Sequence, residues 1–136
     1  MVYNLRYNYH GYFILFRCIL QYYPLYGRIN FMDSVIVLCT IDNKENARKI
    51  AQALLNEKVS SCINIIPSVE SIYIWDNKIT TDNEFLMIIK TRLPLFNGVK
   101  DVILKLHPYE VPEILCIDIQ DGYEKYIKWI ENSLEV

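Results

Sequence analysis

The residues best suited to chemistry stand together in one short stretch, residues 107–113, which reads His-Pro-Tyr-Glu-Val-Pro-Glu. This stretch combines an imidazole, a phenol and two carboxylates. A proline disfavours helical backbone at the residue before it, so the two prolines predict a stiff, extended loop. A stiff loop is preorganised, which favours the binding of a small ligand or an ion. The alternative is a structural connection, in which Tyr109 packs and His107 lies at the C-terminal end of the preceding helix.

Cysteine is the other residue type in this chain that could hold a metal ion. The four cysteines form no C-x-x-C pair and show no zinc-type spacing: Cys18, Cys39, Cys62 and Cys116. Three of them lie in apolar, strand-like runs, where a reduced cysteine packs as a small hydrophobe. A disulfide framework is not expected in a chain with this apolar content, so we predict a reducing, cytoplasmic compartment. His107 is the only histidine after residue 31, which excludes a multi-histidine metal site within one copy of that part.

Motifs for nucleophilic catalysis are missing from the sequence. It contains no G-x-S-x-G motif and no glycine-rich phosphate loop. No nucleophile and base can be paired, so we predict that the chain is not an enzyme and has no catalytic residues. Tyr73 and Trp75 stand two residues apart in a strand-like run and therefore share a face. They are candidates to stack on a ligand, although such aromatic residues also form cores and interfaces.

Charge is distributed unevenly along the chain. Its 136 residues are 52% apolar and 22% charged, which is typical of one soluble globular domain. Residues 1–31 contain three arginines and no acidic residue, whereas residues 32–136 contain 11 basic and 16 acidic residues. The acidic balance argues against nucleic acid as a partner. We predict that residues 32–136 form the folded domain and that residues 1–31 are an N-terminal extension.

The extension contains an apolar run, residues 12–20, that bears on targeting. This run is shorter than the ~18–20 residues needed to span a bilayer, and Arg17 interrupts it, so no stable membrane insertion is predicted. No small-residue cleavage pattern follows it, as a secretory leader would require. A non-conforming extension or a gene-start artefact, with Met32 as the true start, is favoured over a targeting segment.

Hydrophobic periodicity and turn residues predict a mixed α+β domain that positions these side chains. The strand patterns occupy residues 35–40, Cys62–Trp75, residues 84–91 and residues 113–119. The helical patterns run from Asp42 or Asn43 to about Lys58, from Pro94 to Leu106, and from a cap at Asp121 to the end. Pro67 within the long strand indicates an edge strand or a bulge. The order β-α-β-β-α-β followed by a helix is that of a ferredoxin-like sandwich.

The predicted strands are apolar on both faces. In the first strand Val35 and Val37 alternate with Ile36 and Leu38, and two later strands show the same pattern. Two long helices can cover only one face of a four-stranded sheet, so we expect a second copy of the chain on the other. The strand Cys62–Trp75 is longer than its predicted partners, which predicts an unpaired end available for pairing between subunits. An obligate homo-oligomer is therefore expected.

Six motifs resemble those of the CutA family, the divalent-cation tolerance proteins, and they occur in the family's order. They are residues 37–40 (VLCT), 61–64 (SCIN), 71–75 (SIYIW), 90–91 (KT), 107–113 (HPYEVPE) and 126–129 (YIKW). The combination of S-x-Y-x-W with H-P-Y-x-x-P-E is specific. The chain from about residue 34 to residue 134 is identified as a member of this family.

The resemblance implies a ferredoxin-like fold assembled as a homotrimer, with a role in divalent-cation tolerance and copper among the ions bound. The residues that it makes metal candidates are Cys39 and His107, followed by Glu113 and Cys62. A thiolate with an imidazole suits copper or zinc rather than magnesium. Bacterial members can have a second histidine directly before the H-P-Y motif. This chain has Leu106 there, which weakens a high-affinity copper site.

Two functions remain open from the sequence. The first is a homotrimer that binds copper or a similar divalent ion and uses no organic cofactor. The second is a trimeric regulatory or scaffold module that binds a small molecule or a protein partner in a cleft between subunits, by analogy with the same trimeric fold in signalling proteins. The residues expected to line that cleft are Tyr73, Trp75, Lys90, Tyr109 and Glu113.

Overall fold

The computed structural model describes residues 33–134, and all structural statements concern this part of the chain. The predicted extension of residues 1–31 and its boundary lie outside the described residues. The elements are β1 (Ser34–Ile41), α1 (Lys44–Asn56), β2 (Cys62–Trp75), β3 (Lys78–Arg92), α2 (Phe96–Leu106), β4 (Leu115–Asp118) and α3 (Glu124–Asn132). A short 3₁₀ turn, Leu93–Leu95, leads into α2. Within residues 33–134, no helix is long and apolar enough to cross a membrane.

The four strands form one sheet in the order β2-β3-β1-β4, and every neighbouring pair is antiparallel. The order along the chain is β-α-β-β-α-β with a final helix, so the predicted mixed α+β architecture is confirmed. The strand β4 is shorter than predicted, with four residues. It pairs only with residues 35–38 of β1, which leaves the end of β1 without a neighbour on that side.

The helix starts were predicted with mixed success. Asn43 caps α1 as predicted, because its side-chain oxygen accepts a hydrogen bond of 2.8 Å from the backbone N–H of Asn46. The predicted cap of the final helix is wrong. Asp121 accepts from the neighbouring Gly122 N–H at 2.7 Å instead, and α3 begins only at Glu124. The carboxylate of Asp121 is thus used in a local turn before the helix starts.

The main core lies between α1, α2 and one face of the sheet. Register places Val37 opposite Ile89 and Cys39 opposite Met87, and all four side chains are fully buried. Ile41 of β1 also belongs to this cluster, and the two helices contribute its other buried apolar residues: Ala47, Ile50, Leu54, Val99, Val102 and Ile103. This face is the one that the alternation of the first strand predicted.

The second face of the sheet is partly covered by α3. Cys62 and Lys90 are opposite each other in register and lie on this face, and Tyr126 of α3 hydrogen-bonds to Cys62. Ile127 and Ile130 of α3 are buried. The expectation that a second copy must cover this face therefore needs correction at this end of the sheet, where the chain's own terminal helix covers it.

The hairpin of β2 and β3 is paired along its whole length, from Cys62 with Lys90 to Trp75 with Lys78. Asp76 and Asn77 form its two-residue turn, with φ of 49° and 61°, as suits a hairpin connection. The prediction of an unpaired end on β2 is wrong, because β3 begins six residues earlier than expected. Residues 80–83 in this added part are polar, so it shows no apolar alternation from which a strand could be predicted.

The predicted irregularity at Pro67 is confirmed. The β2–β3 register shifts between Ile66 and Val69, and Ser68 has a positive φ of 63°. Since β1 pairs with β3 only as far as Phe85, the rest of the hairpin extends beyond the sheet as a two-stranded ribbon. This geometry places the tip of the hairpin next to the loop of residues 107–113, which follows α2.

Candidate functional site

A cleft of about 590 Å³ lies between the end of β1, the hairpin ribbon and the loop after α2. Its lining residues are Thr40, Asp42, Tyr73, Trp75, Asp82, Asn83, Glu84, Tyr109, Glu110, Val111 and Glu113. Four of the residues predicted for a cleft are therefore brought together: Tyr73, Trp75, Tyr109 and Glu113. We call this site the acidic cleft.

The wall of the acidic cleft carries negative charge without a basic counterpart. It includes five carboxylates: Asp42, Asp82, Glu84, Glu110 and Glu113. Among the described residues that line it there is no lysine, arginine or histidine. Low-dielectric walls concentrate the field of such a cluster, which favours a positively charged occupant. The sequence did not point to three of these acids, Asp42, Asp82 and Glu84, because they come from two segments far from residues 107–113 in the chain and no local spacing links them.

Two tyrosines hold carboxylates of the hairpin in place. Burial and a hydrogen bond to Glu84 raise the pKa of Tyr109, so its hydroxyl stays protonated and donates to that carboxylate. Glu84 needs this partner, since only 6% of the residue is exposed. The Tyr73 hydroxyl donates to Asp82, and this hydrogen bond raises the pKa of Tyr73. The two phenols thus serve a structural role as well as forming the wall.

His107 is bound to the backbone through both ring nitrogens. Its Nε2 lies 2.9 Å from the Thr40 carbonyl oxygen, and its Nδ1 accepts a hydrogen bond of 3.1 Å from the Tyr109 N–H. A carbonyl can only accept, so this pattern places an N–H at Nε2 and the accepting nitrogen at Nδ1. The ring also packs edge-on against Tyr109, with centroids 5.0 Å apart. His107 therefore ties the loop to the end of β1, and a metal could bind it only by replacing one of these contacts.

Cys39 lies behind the cleft in the main core. It is fully buried, with its Sγ 3.6 Å from the Thr40 carbonyl oxygen. Burial, with the nearby charges of Glu113 and Glu84, raises the pKa of the Cys39 thiol to about 12. Because a metal binds the thiolate, Cys39 would have to lose a strongly held proton to become a ligand.

The other two predicted residues lie at the opposite end of the hairpin strands. Lys90 places its Nζ 3.7 Å from the Sγ of Cys62 and also donates to the Asn64 side-chain oxygen. Within one chain Lys90 is not among the residues that line the acidic cleft, so its place in a cleft between subunits stays a prediction. Cys62 is likewise separated from the candidates Cys39, His107 and Glu113. Within residues 33–134, no group of three or more potential ligands is arranged to hold a metal ion.

Comparison with known proteins identifies the family to which this chain is similar. Residues 35–133 match the family described as CutA1 divalent ion tolerance protein. The chloroplastic protein CutA 1 of Oryza sativa subsp. japonica is 40% identical over 102 residues, which are 75% of this chain and 58% of the rice protein. The divalent-cation tolerance protein CutA of Thermus thermophilus is 39% identical over 98 residues, which are 72% of this chain and 95% of that protein. The chain thus spans only somewhat more than half the length of the plant relatives it matches.

Solved structures agree with this assignment. The T. thermophilus protein has a TM-score of 0.70 at 39% identity, covering 71% of this chain and 94% of its own. A CutA from Archaeoglobus fulgidus, described as periplasmic, has a TM-score of 0.73 at 35% identity, covering 75% and 99%. The compartments named for these relatives differ, so the cytoplasmic location of this chain stays a prediction. The match over residues 35–133 and these identities confirm the predicted membership: the chain belongs to the CutA1 divalent ion tolerance protein family.

Proposed function

We propose that this chain is a non-catalytic, homotrimeric divalent-cation tolerance protein that binds copper or a similar divalent ion at its acidic cleft. The observation that carries the proposal is the wall of five carboxylates, with no basic residue among the described side chains that line the cleft. The relatives that are named for divalent-cation tolerance support the same role. Such a wall raises the local concentration of cations before any ligand bond forms.

The donor set favours weak and exchangeable binding over a preformed centre. Glu113 is the candidate that both lines the cleft and acts on Cys39 through its charge. Cys39 and His107 are softer donors that suit copper, but one holds its proton and the other is bonded to the backbone at both nitrogens. Binding through Cys39 has to release a proton, so this contribution weakens as the pH falls, whereas binding through His107 has to break a backbone contact. Cys62 is outside this donor set.

Calorimetric titration of the full chain with Cu(II) and Zn(II) tests the metal site. We expect Glu113→Gln to weaken binding by about tenfold, because one carboxylate close to the ion is lost. The matched control is Glu57→Gln, which removes one exposed charge at the end of α1, outside the cleft. Equal affinities of the parent, Glu113→Gln and His107→Ala would contradict a metal site at this place.

The proposal of a trimer rests on apolar side chains that are exposed to solvent in a single copy of the chain. Ile72, Ile74 and Ile79 of the hairpin ribbon are 65%, 74% and 79% exposed. Leu115 and Ile117 of the edge strand β4 are also about half exposed. Apolar groups in such number on a ribbon and a sheet edge are typical of an interface between subunits. Light scattering on the full chain should give three copies. Ile74→Lys should lower the mass, and a stable monomeric parent would contradict the proposal.

A second candidate function is supported by the aromatic residues of the same cleft. Trp75, Tyr73 and Tyr109 are 58%, 40% and 38% exposed and stand among the carboxylates. Aromatic faces next to carboxylates bind organic cations, whereas a metal ion needs only the oxygen donors. The occupant would then be a positively charged small molecule or a basic side chain of a protein partner. Trp75→Ala separates the two functions: it should leave metal affinity unchanged and abolish binding of a tetramethylammonium probe.

A further inference from the structure

A second cluster of reactive groups lies where β2 begins, away from the acidic cleft. It consists of Cys62, Asn64, Lys90 and Tyr126, which we call the Cys62 cluster. The Lys90 Nζ lies 3.7 Å from the Cys62 Sγ, within the range of a hydrogen bond to sulfur. Tyr126, on the terminal helix α3, hydrogen-bonds to the same sulfur. The Cys62 thiol therefore has an ammonium and a phenol as neighbours.

The burial of Lys90 is unusual for a lysine. Only 9% of the residue is exposed, and its ammonium donates to Asn64 and approaches Cys62. A buried charge is costly unless an opposite charge offsets it. In the described part of the chain no carboxylate lies within ion-pair distance of Lys90, the two ion pairs there being Arg92–Asp33 and Lys128–Glu124. Of its two hydrogen-bond acceptors, Asn64 is a neutral amide, so Cys62 is the one that can become an anion.

Tyr126 completes the surroundings of the sulfur. Burial, followed by the charge of Cys62 and the hydrogen bond to it, raises the pKa of Tyr126. Its hydroxyl thus stays protonated and can donate to sulfur. Cys62 itself is only partly buried, so a small reagent can reach it.

The two other described cysteines have the opposite surroundings. Burial and the charges of Glu113 and Glu84 raise the pKa of Cys39 to about 12. Burial and the charge of Asp118 raise the pKa of Cys116, although that residue is exposed. Both are therefore held as thiols, and reactivity toward electrophiles depends on the thiolate. By exposure alone, Cys116 would be the most reactive of the three described cysteines. The charged neighbours instead favour reaction at Cys62.

We propose that Cys62 is a peroxide-sensitive modification site. Its thiol releases a proton to solvent, and the Lys90 ammonium, 3.7 Å away, and the Tyr126 hydroxyl stabilise the nucleophilic sulfur while it reacts. The sulfur attacks one oxygen of a hydroperoxide, so an S–O bond forms while the O–O bond breaks. Sulfur loses two electrons to the peroxide and becomes a sulfenic acid. The departing hydroxide takes a proton from the Lys90 ammonium and leaves as water, and Lys90 then regains a proton from solvent. No metal takes part in this step.

The test is site-resolved labelling of the full chain at pH 7 with a metal chelator present. Each cysteine is followed by peptide mass spectrometry, first with iodoacetamide and then with hydrogen peroxide and dimedone. Cys62 should react about tenfold faster than Cys116, and Lys90→Met should remove most of that difference. The matched control is Lys128→Met, which removes an exposed lysine of α3 and should change nothing. Equal rates at Cys62 and Cys116 in the parent would overturn the proposal.

Two further variants keep the test decisive if Lys90→Met does not fold. Lys90→Arg retains the positive charge and should retain most of the Cys62 rate. Tyr126→Phe keeps the ring that stacks on Trp129 and removes only the hydroxyl, so it should slow Cys62 about threefold. A folded Tyr126→Phe chain that also keeps the parent rate and the parent yield of dimedone adduct would contradict the role of the hydroxyl. Retention of the parent rate by a folded Lys90→Met chain would overturn the proposal itself.

Discussion

The acidic cleft and the Cys62 cluster both involve strands β2 and β3, but the charged groups at the two sites have opposite sign. Glu84 and Lys90 are six residues apart on β3, about 20 Å along a strand. At one end, two phenols donate to carboxylates around an opening whose wall, within residues 33–134, contains no basic residue. At the other end, an ammonium and a phenol face a thiol. A cysteine lies close to each end: Cys39 is buried near carboxylates, whereas Cys62 is only partly buried and lies beside an ammonium.

The largest effect on this contrast is expected from reversing the charge at Lys90 in the Cys62 cluster. Lys90→Glu would place a buried carboxylate next to Asn64 and Cys62, with no positive charge among the described neighbours to offset it. We expect the free energy of unfolding to fall by about 3 kcal/mol or more. Urea unfolding followed by circular dichroism measures the change.

The control for charge reversal is Lys90→Met, which removes the charge without burying a new one. It should destabilise the chain by less than Lys90→Glu does. If both variants unfold at the same urea concentration as the parent, Lys90 is not buried as described. The acidic cleft would then be the only one of the two sites with a structural role for its charges.

The next prediction concerns the hydrogen bond that secures the acidic cleft. Tyr109→Phe leaves the nearly buried carboxylate of Glu84 without its phenol donor, so we expect a loss of about 2 kcal/mol. The change is measured by urea unfolding at pH 7. The matched control is Tyr123→Phe, since Tyr123 is 69% exposed. Equal stability of the two variants would show that Glu84 has another donor or is open to water.

The positions of these two sites explain which parts could be predicted from the sequence. The order of elements followed from apolar periodicity, because β1, α1 and α2 bury one face each with regular spacing. The full extent of β3 could not be predicted from apolar periodicity, since residues 80–83 are polar and pair only through the backbone. The role of α3 as a cover of the second face was missed for a related reason. The spacing of its apolar residues predicts a helix but does not identify the surface on which that helix packs.

The candidate sites show the same limit. Tyr109 and Glu113 were found because they share one loop with two prolines. Asp42 and Glu84 were missed, since only the register of β1 with β3 and the path of the loop bring them together. Within one chain the rise of a strand, about 3.3 Å per residue, separates Lys90 from Tyr73 and Trp75 along the hairpin. The predicted cleft lies between subunits, so the place of Lys90 in it stays a prediction.

The smallest expected effect is on the alkaline stability that Cys39 controls. Its folded pKa of about 12 lies above the ordinary value of 9.0. Above pH 9 the unfolded chain therefore releases the thiol proton while the folded chain retains it, and stability falls as the pH rises toward about 12. At pH 10 this linkage amounts to roughly 1 kcal/mol. Below pH 9 it has no effect.

Cys39→Ala tests this linkage through the slope of the free energy of unfolding against pH, and not through the absolute free energy. The cavity that it leaves lowers stability at every pH, so only the change in slope between pH 9 and pH 11 reports the thiol. Urea unfolding across this range should give a shallower decline in the variant than in the parent. The raised pKa of Tyr109 leaves part of the decline in both. Parallel curves would mean that the acidic cleft does not hold the proton on Cys39. The contrast between a protonated Cys39 and a reactive Cys62 would then rest on the Cys62 cluster alone.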